Sequence, residues 1–403
     1  MHPYPFPVPT AEAEAEADVD VEESRTVDKQ SWESAAVRRA RIRGCLLGGA
    51  IGDALGNPIE FLSLGAIRGM YGEQGVTALV PDSDGVTGRV TDDTQMTLFT
   101  AEGLIRAQAG AAGKGIGGGE TACVRNAYLR WLDTQNYPAS PEPAEGDYIR
   151  TGWLRQQPFL YARRAPGNAC LTGLAQRYVP DVTAVLGEPG PVNTGSKGCG
   201  TVMRSAPFGL VGAEPRRAFE MAAHCAQITH GHPTGYYAAG AFAAIIAHLM
   251  EGDSAEGAVL RAMELLRGYQ QHEETTAALR AAVDLAARGG RPTAEKVESL
   301  GAGWVAEEAL AIAVYCALAR TDDVTEALTL SVSHSGDSDS TGAICGNLLG
   351  VRYSEVQLPA SWLVLTEGRG VIAELADDLS LQTEHATVGY GEPVFPYDRY
   401  PHN

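Results

Sequence analysis

Two short acidic segments carry the strongest chemical signal in this 403-residue chain. Thr91-Asp92-Asp93-Thr94 and Gly336-Asp337-Ser338-Asp339-Ser340-Thr341 each set two carboxylates among hydroxyls, with no Lys or Arg alongside. A single Asp at a helix start is ordinary, because it accepts from free N–H groups and complements the helix dipole. Both segments precede stretches of helical character, "QMTLFTAEGLI" and "STGAICGNLLG", so capping accounts for one acid in each. It leaves the second acid unexplained, since that one adds repulsion without a capping role. Four hard oxygen anions with Thr and Ser companions suit Mg²⁺, Mn²⁺ or Ca²⁺. Two such ions bridged by shared carboxylates can hold an anionic or diol-bearing substrate. A third segment, "RIRGCLLGGAIGDALGNPIEF" (41–61), places Asp53 in a small apolar run and Glu60 just past Gly56-Asn57-Pro58. Asp53 needs a partner if it is buried. Glu60 reads either as a surface acid or as a group on a loop over the metal site.

The elements that must bring these acids together are helical. Apolar residues recur at helical spacing over roughly 36–56, 94–109, 121–134, 215–228, 233–251, 254–268, 272–287, 304–319 and 323–333. Strand-type alternation is nearly absent, and the pattern predicts one compact all-α domain over 34–403. Residues 1–33, Pro-rich and then acidic, read as a disordered tail. The final "GEPVFPYDRYPHN" reads as an extended segment laid across the surface. The chain has 31 Lys+Arg against 50 Asp+Glu, a balance that argues against non-specific nucleic-acid binding. An anionic substrate therefore needs local help, most simply from bound cations. Seven scattered cysteines without a CxxC pair, no apolar leader and no apolar run of about 18 residues predict a cytoplasmic protein with reduced thiols and no membrane span.

Other segments offer weaker chemistry. "AGAAGKGIGGGE" (109–120) lacks the GK[ST] of a phosphate loop. "NTGSKGCG" (193–200) is either a tight turn or a nest of backbone N–H groups for a pyrophosphate, which makes Gly195, Ser196, Lys197, Gly198, Cys199 and Gly200 candidate substrate contacts. Lys197 either reaches that diphosphate or points to solvent. His230 and His232 stand ahead of Pro233 without a third soft ligand, so zinc is unfavoured. His230 is a candidate substrate contact and His232 a structural hydrogen-bonding residue. Arg204 pairs either with a buried acid or with a diphosphate.

Taken in order, "GGAIGDALG" (48–56), "TDDTQM" (91–96), "GCGTVMRSAP" (198–207), "THGHPTGY" (229–236) and "GDSDSTGAICG" (336–346) resemble the ADP-ribosylglycohydrolases. The resemblance implies an all-α fold around two Mg²⁺ or Mn²⁺ ions. It implies Thr91, Asp92, Asp93, Asp337, Asp339 and Ser340 as ligands, with Asp93 or Asp339 activating water and Glu60 gating or assisting. It also sets the Trp304 loop beside the nucleotide. The Gly198-Cys199-Gly200 turn and "THGHPTGY" look like those of ADP-ribosylarginine hydrolases, which implies an ADP-ribosylated protein as substrate and arginine as the leaving group. ADP-ribosylserine, ADP-ribosylated nucleic acid, a free ADP-ribose derivative and a non-catalytic crystallin-like role are the alternatives. The sequence does not address oligomeric state.

Overall fold

The computed structural model describes residues 11–114, 117–388 and 394–402. Sixteen α-helices and no strand occur among the described residues. The first half holds α1 (Ala11–Gly56), α2 (Leu64–Tyr71), α3 (Asp92–Lys114), α4 (Glu120–Asn136), α5 (Asn168–Leu174) and α6 (Ala206–Leu210). Then follow α7 (Pro215–Ala226), α8 (Pro233–Met250), α9 (Ala255–Leu266), α10 (Glu273–Ala287) and α11 (Ala294–Glu298). The last five are α12 (Ala306–Ala319), α13 (Val324–Val332), α14 (Ser338–Tyr353), α15 (Ala360–Leu365) and α16 (Arg369–Val388).

Local chemistry sets many of these boundaries. Ser254, Thr293 and Asp323 cap α9, α11 and α13 by accepting from backbone N–H groups. Pro215 and Pro233 open α7 and α8, where a missing N–H costs nothing. His232 caps α8 through Nδ1, 3.2 Å from Thr234 N, in line with the structural role its position predicts. Helix α8 is buried on nearly every side and packs against α6, α7, α9 and α12. An all-round apolar sequence demands that central place.

Residues 11–33, where the sequence predicts disorder, have a helical backbone continuous with α1. Alanine and glutamate are strong helix formers, and extension from a packed helix needs no new nucleus. Residues 1–10 of the expected tail lie outside the described residues. At the other end, residues 394–402 dock as expected. Tyr400 is buried with its hydroxyl 2.6 Å from Asp378 Oδ2, and the Arg399 guanidinium lies 4.2 Å from the Trp153 ring centre.

One contact decides the geometry of the whole molecule. Helices α1 and α14 cross backbone to backbone along a ladder of glycines. A methyl group added at Gly44, Gly48 or Gly52 would overlap the carbonyl oxygen of Gly350, Gly346 or Gly342 in turn, and one at Gly56 would overlap Ser338 O. The four-residue spacing keeps all four on one helix face. The same ladder brings the end of α1 against the start of α14, where the second acidic segment lies.

A second buried tie joins α3, α4 and the C-terminal segment. Glu102, fully buried, accepts from Arg106 Nη2 at 2.6 Å and from Arg130 Nε and Nη2 at 2.9 and 2.8 Å. Arg106 also reaches Pro401 O at 3.2 Å. Glu102→Gln leaves two buried guanidinium groups without their counter-charge, and is expected to cost about 3–5 kcal/mol in urea unfolding. A loss under about 1 kcal/mol would show that water or the nearby carbonyls compensate.

Candidate metal centre

Asp53, fully buried on α1, is the partner that α3 needs. Its carboxylate accepts from Thr91 N at 3.0 and 2.9 Å, from Thr94 N at 3.1 Å and from Thr94 Oγ1. A residue from another helix therefore caps α3. Asp92 and Asp93 are thus buried in the first turn of α3 in excess of what capping that helix needs. Thr91 Oγ1 accepts from Asp93 N at 3.3 Å and lies 3.4 Å from Asp93 Oδ2, while Asp93 Oδ1 is buried with no hydrogen-bond partner.

At the start of α14 one of the two acids serves the helix end and the other does not. Asp337 occupies the N-cap position but makes no side-chain capping bond. Its Oδ2 instead accepts from the Cys199 thiol at 2.8 Å. Asp339 Oδ1 accepts from the neighbouring Ser340 N at 3.0 Å. Glu60 follows a single 3₁₀ turn (Asn57–Ile59), and its N–H closes on Gly56 O at 3.0 Å. One ligand atom from each of Glu60, Asp337 and Asp339 lies within 4.8 Å of the others.

The two acidic segments, distant in the chain, face each other across this point. Burial, followed by the charges of the neighbouring acids, pushes Asp53 up to about 7, Asp92 to about 8 and Glu60 to about 10. The same causes raise Asp93 and Asp337, and burial raises Asp339. None of these six acids forms an ion pair with a Lys or Arg among the described residues. Buried like charges, an orphaned carboxylate oxygen and an all-oxygen donor set fit hard divalent cations. The sequence-predicted ligands Thr91, Asp92, Asp93, Asp337, Asp339 and Ser340 are all buried around this point.

Around this centre the structure sorts the other candidates. The 193–200 turn is zipped to the start of α12. Gly198 bridges Val305, Cys199 N donates to Trp304 O at 3.1 Å, and Ala306 N donates to Lys197 O at 2.8 Å. Gly195 is exposed, Ser196 to Cys199 are half-buried and Gly200 is buried. The Lys197 ammonium is held by Glu274 at 2.5 Å and by Glu307, so neither of its expected positions, on a diphosphate or free in solvent, is the observed one. His230 lies beneath the turn, only 2% exposed, with Nδ1 2.7 Å from Thr229 Oγ1. Burial and Arg204 drive its pKa down to about 3, so the ring is neutral. Added Cβ atoms at Gly198 and Gly200 would come 3.3 and 3.2 Å from that ring, so the glycines leave room for it. Arg204 meets neither an acid nor the surface. It is buried between Thr229 Oγ1 at 2.6 Å, Cys170 Sγ at 3.2 Å and the Tyr128 ring at 4.5 Å.

Trp304 stands at the surface, in the loop before α12. It is 41% exposed and stacks on Phe61, itself 67% exposed, with ring centres 5.3 Å apart. Phe61 follows Glu60 and has a left-handed φ of 70°, strained for a bulky residue. The sequence gives no sign of this pairing beyond an aromatic residue next to Glu60.

The sequence profile of one family, ADP-ribosylglycohydrolase, matches residues 34–388. The chain belongs to that family. It is similar to the ADP-ribosyl-[dinitrogen reductase] glycohydrolase of Rhodospirillum rubrum, 26% identical over 330 residues, covering 80% of this chain and 89% of the relative. It is 25% identical to ADP-ribosylarginine hydrolase Tri1 of Serratia proteamaculans over 352 residues, covering 86% and 80% respectively. Human ADP-ribosylhydrolase ARH3 is also 25% identical, over 368 residues, with 83% and 91% covered. A solved ADP-ribosylglycohydrolase-related protein complex superposes with a TM-score of 0.58 at 24% identity, covering 86% of this chain and 99% of the other, and shares the fold. This ADP-ribosylglycohydrolase is thus an all-α hydrolase of a metal-dependent family that releases ADP-ribose from modified targets. No helix among the described residues is long and apolar enough to cross a membrane.

Proposed function

We propose that this glycohydrolase removes ADP-ribose from arginine side chains of modified proteins in the cytoplasm, using two Mg²⁺ or Mn²⁺ ions held by Thr91, Asp92, Asp93, Asp337, Asp339 and Ser340. The observation that carries the reading is that two base-free acidic segments are buried close enough for Asp339 to raise the pKa of both Asp92 and Asp93, with Asp93 Oδ1 unpartnered. Bound cations supply Lewis acidity toward the ribose hydroxyls and lower the pKa of a water. The chain's own groups do the remainder. Asp93 or Asp339 accepts the proton of the attacking water, and the surrounding carboxylates favour the oxocarbenium character that develops at the anomeric carbon. Glu60, joined to Asp337 and Asp339, stands where it can assist or gate. With Lys197 paired to acids, and Ser196 N and Cys199 N spent on Asn193 O and Trp304 O, the diphosphate is left to the other backbone N–H groups of the 195–200 turn and to the cations.

The Gly198-Cys199-Gly200 turn, "THGHPTGY" and the similarity to an arginine hydrolase favour arginine. Similar identity to ADP-ribosylhydrolase ARH3 keeps serine as the second reading. The test compares ADP-ribose release from arginine-modified and serine-modified peptides, side by side, with Mg²⁺ and with Mn²⁺. At least about tenfold higher kcat/KM on arginine is expected, the equivalent of about 1.4 kcal/mol. The opposite preference assigns the enzyme to serine. No release from either peptide returns the chain to a binding or structural role.

A further inference from the structure

We propose that Cys199 is the positioning residue for Asp337, and through it for the metal centre on which the functional reading rests. Asp337 has its backbone fixed on both sides. Its N–H donates to Ala302 O at 2.9 Å, and its carbonyl accepts from Thr341 N at 3.2 Å and Thr341 Oγ1 at 2.9 Å. What remains free is rotation of the carboxylate. The Ser340 hydroxyl and Asp339 also interact with it from its own helix, and the donor that reaches it from another segment is the Cys199 thiol, 2.8 Å from Oδ2. That thiol engages one oxygen and leaves the other to ligate.

Cys199 is held firmly enough for this task. The 197–199 strip is hydrogen-bonded to 304–306, and the 302–303 backbone packs directly on Gly336 and Asp337. A Cβ at Gly303 would come 3.3 Å from Asp337 Cβ, and one at Gly336 would overlap Ala302 O. An independent observation points to a ligand at the same place. Asp93, whose charge also acts on Cys199, keeps Oδ1 buried without any partner. The thiol proton satisfies one oxygen of Asp337, while Asp93 Oδ1 has no donor among the described residues, so a hard cation suits both acids. Among the seven cysteines, five are buried; Cys199 is the one whose thiol donates to a candidate ligand. The thiol of the "GCG" turn thus serves the metal side of the site, while the backbone of the 195–200 turn is left to the substrate.

Partners one step removed from a metal typically change its affinity by about 10–100-fold. The experiment is Mn²⁺ binding to the substrate-free, full-length protein by calorimetry, for the wild type, C199A and C199S. C199A is expected to bind Mn²⁺ at least about tenfold more weakly. C199S, which restores a donor, is expected to stay within about threefold of the wild type. The Mn²⁺ concentration needed for half-maximal turnover should shift in parallel, with kcat recovered at saturating Mn²⁺. Unchanged Mn²⁺ affinity in C199A overturns the proposal, as does an equal loss in C199S with native circular dichroism. A wild type that binds no Mn²⁺ overturns both this and the metal reading. Mn²⁺ binding without release from modified arginine leaves Cys199 in its role and removes the proposed substrate.

Discussion

Asp339→Asn yields a folded protein that releases no measurable ADP-ribose, at least about 10²–10⁴-fold below the wild type, the range for removing a group that moves the reacting proton. Asp339 is 3% exposed, lies among the raised acids and belongs to the group whose ligand atoms fall within 4.8 Å. Asparagine keeps the shape and loses the charge, so the expected failure is electrostatic. Treating the wild type with EDTA should reproduce it, and added Mn²⁺ should reverse EDTA but not the substitution. Activity above about a tenth of wild type in either case would dismiss the metal centre.

The same acids predict how the EDTA-treated protein responds to pH. A carboxylate raised on folding binds its proton more tightly in the folded state. Its contribution to stability is full below the unfolded value of about 4 and is lost as pH rises through the folded value. With Asp53 near 7 and Asp92 near 8, the metal-free wild type should melt at progressively lower temperature from about pH 5 to pH 9. Divalent cations should flatten that slope, and Asp339→Asn should make it shallower even without them. A metal-free melting temperature that rises across this window would contradict the repulsive cluster.

Gly346→Ala is expected to produce a large loss of stability from one added methyl group. Core overpacking commonly costs about 1–3 kcal/mol because side chains and backbone shift to make room. Here the obstruction is Gly48 O, which belongs to a helix backbone and has no rotamer to change. We expect a cost at or above the top of that range, read as a lower urea midpoint with an unchanged slope. Gly69→Ala is the control. That glycine lies within α2 with nothing within 4 Å of an added Cβ, and its substitution should stabilise by about 0.5–1 kcal/mol. If both variants behave alike, close approach at the ladder is not what fixes the α1–α14 distance.

Much of this arrangement is legible in the linear sequence. Nine stretches of helical spacing correspond to α1, α3, α4, α7, α8, α9, α10, α12 and α13, because amphipathic period and capping chemistry are local. The two acidic segments stand out because like charges without a base need an external counter-ion. What stays hidden depends on approach between distant segments. Asp53 reads as an isolated buried acid until its partners prove to be the N-terminal N–H groups of α3. Gly44, Gly48, Gly52 and Gly56 read as a small-residue helix, and their purpose appears only against Gly342, Gly346 and Gly350. Lys197 reads as a free cation because Glu274 and Glu307 lie far along the chain. The Phe61–Trp304 stack joins two loops with no shared pattern.

The glycine ladder also bears on how the enzyme is born. Its rungs join residues 44–56 to residues 338–350, so the centre closes only when nearly the whole chain is available. Contacts of such long separation form slowly, and synthesis delivers the N-terminal partner first. While the ribosome is still making α8 or α12, the 91–93 acids exist without their counterparts and offer no chelating pocket. With the proposed ligands, metal uptake would follow completion of the fold. A chain released early, short of Asp337, would lack Asp337, Asp339 and Ser340, half of the proposed ligands.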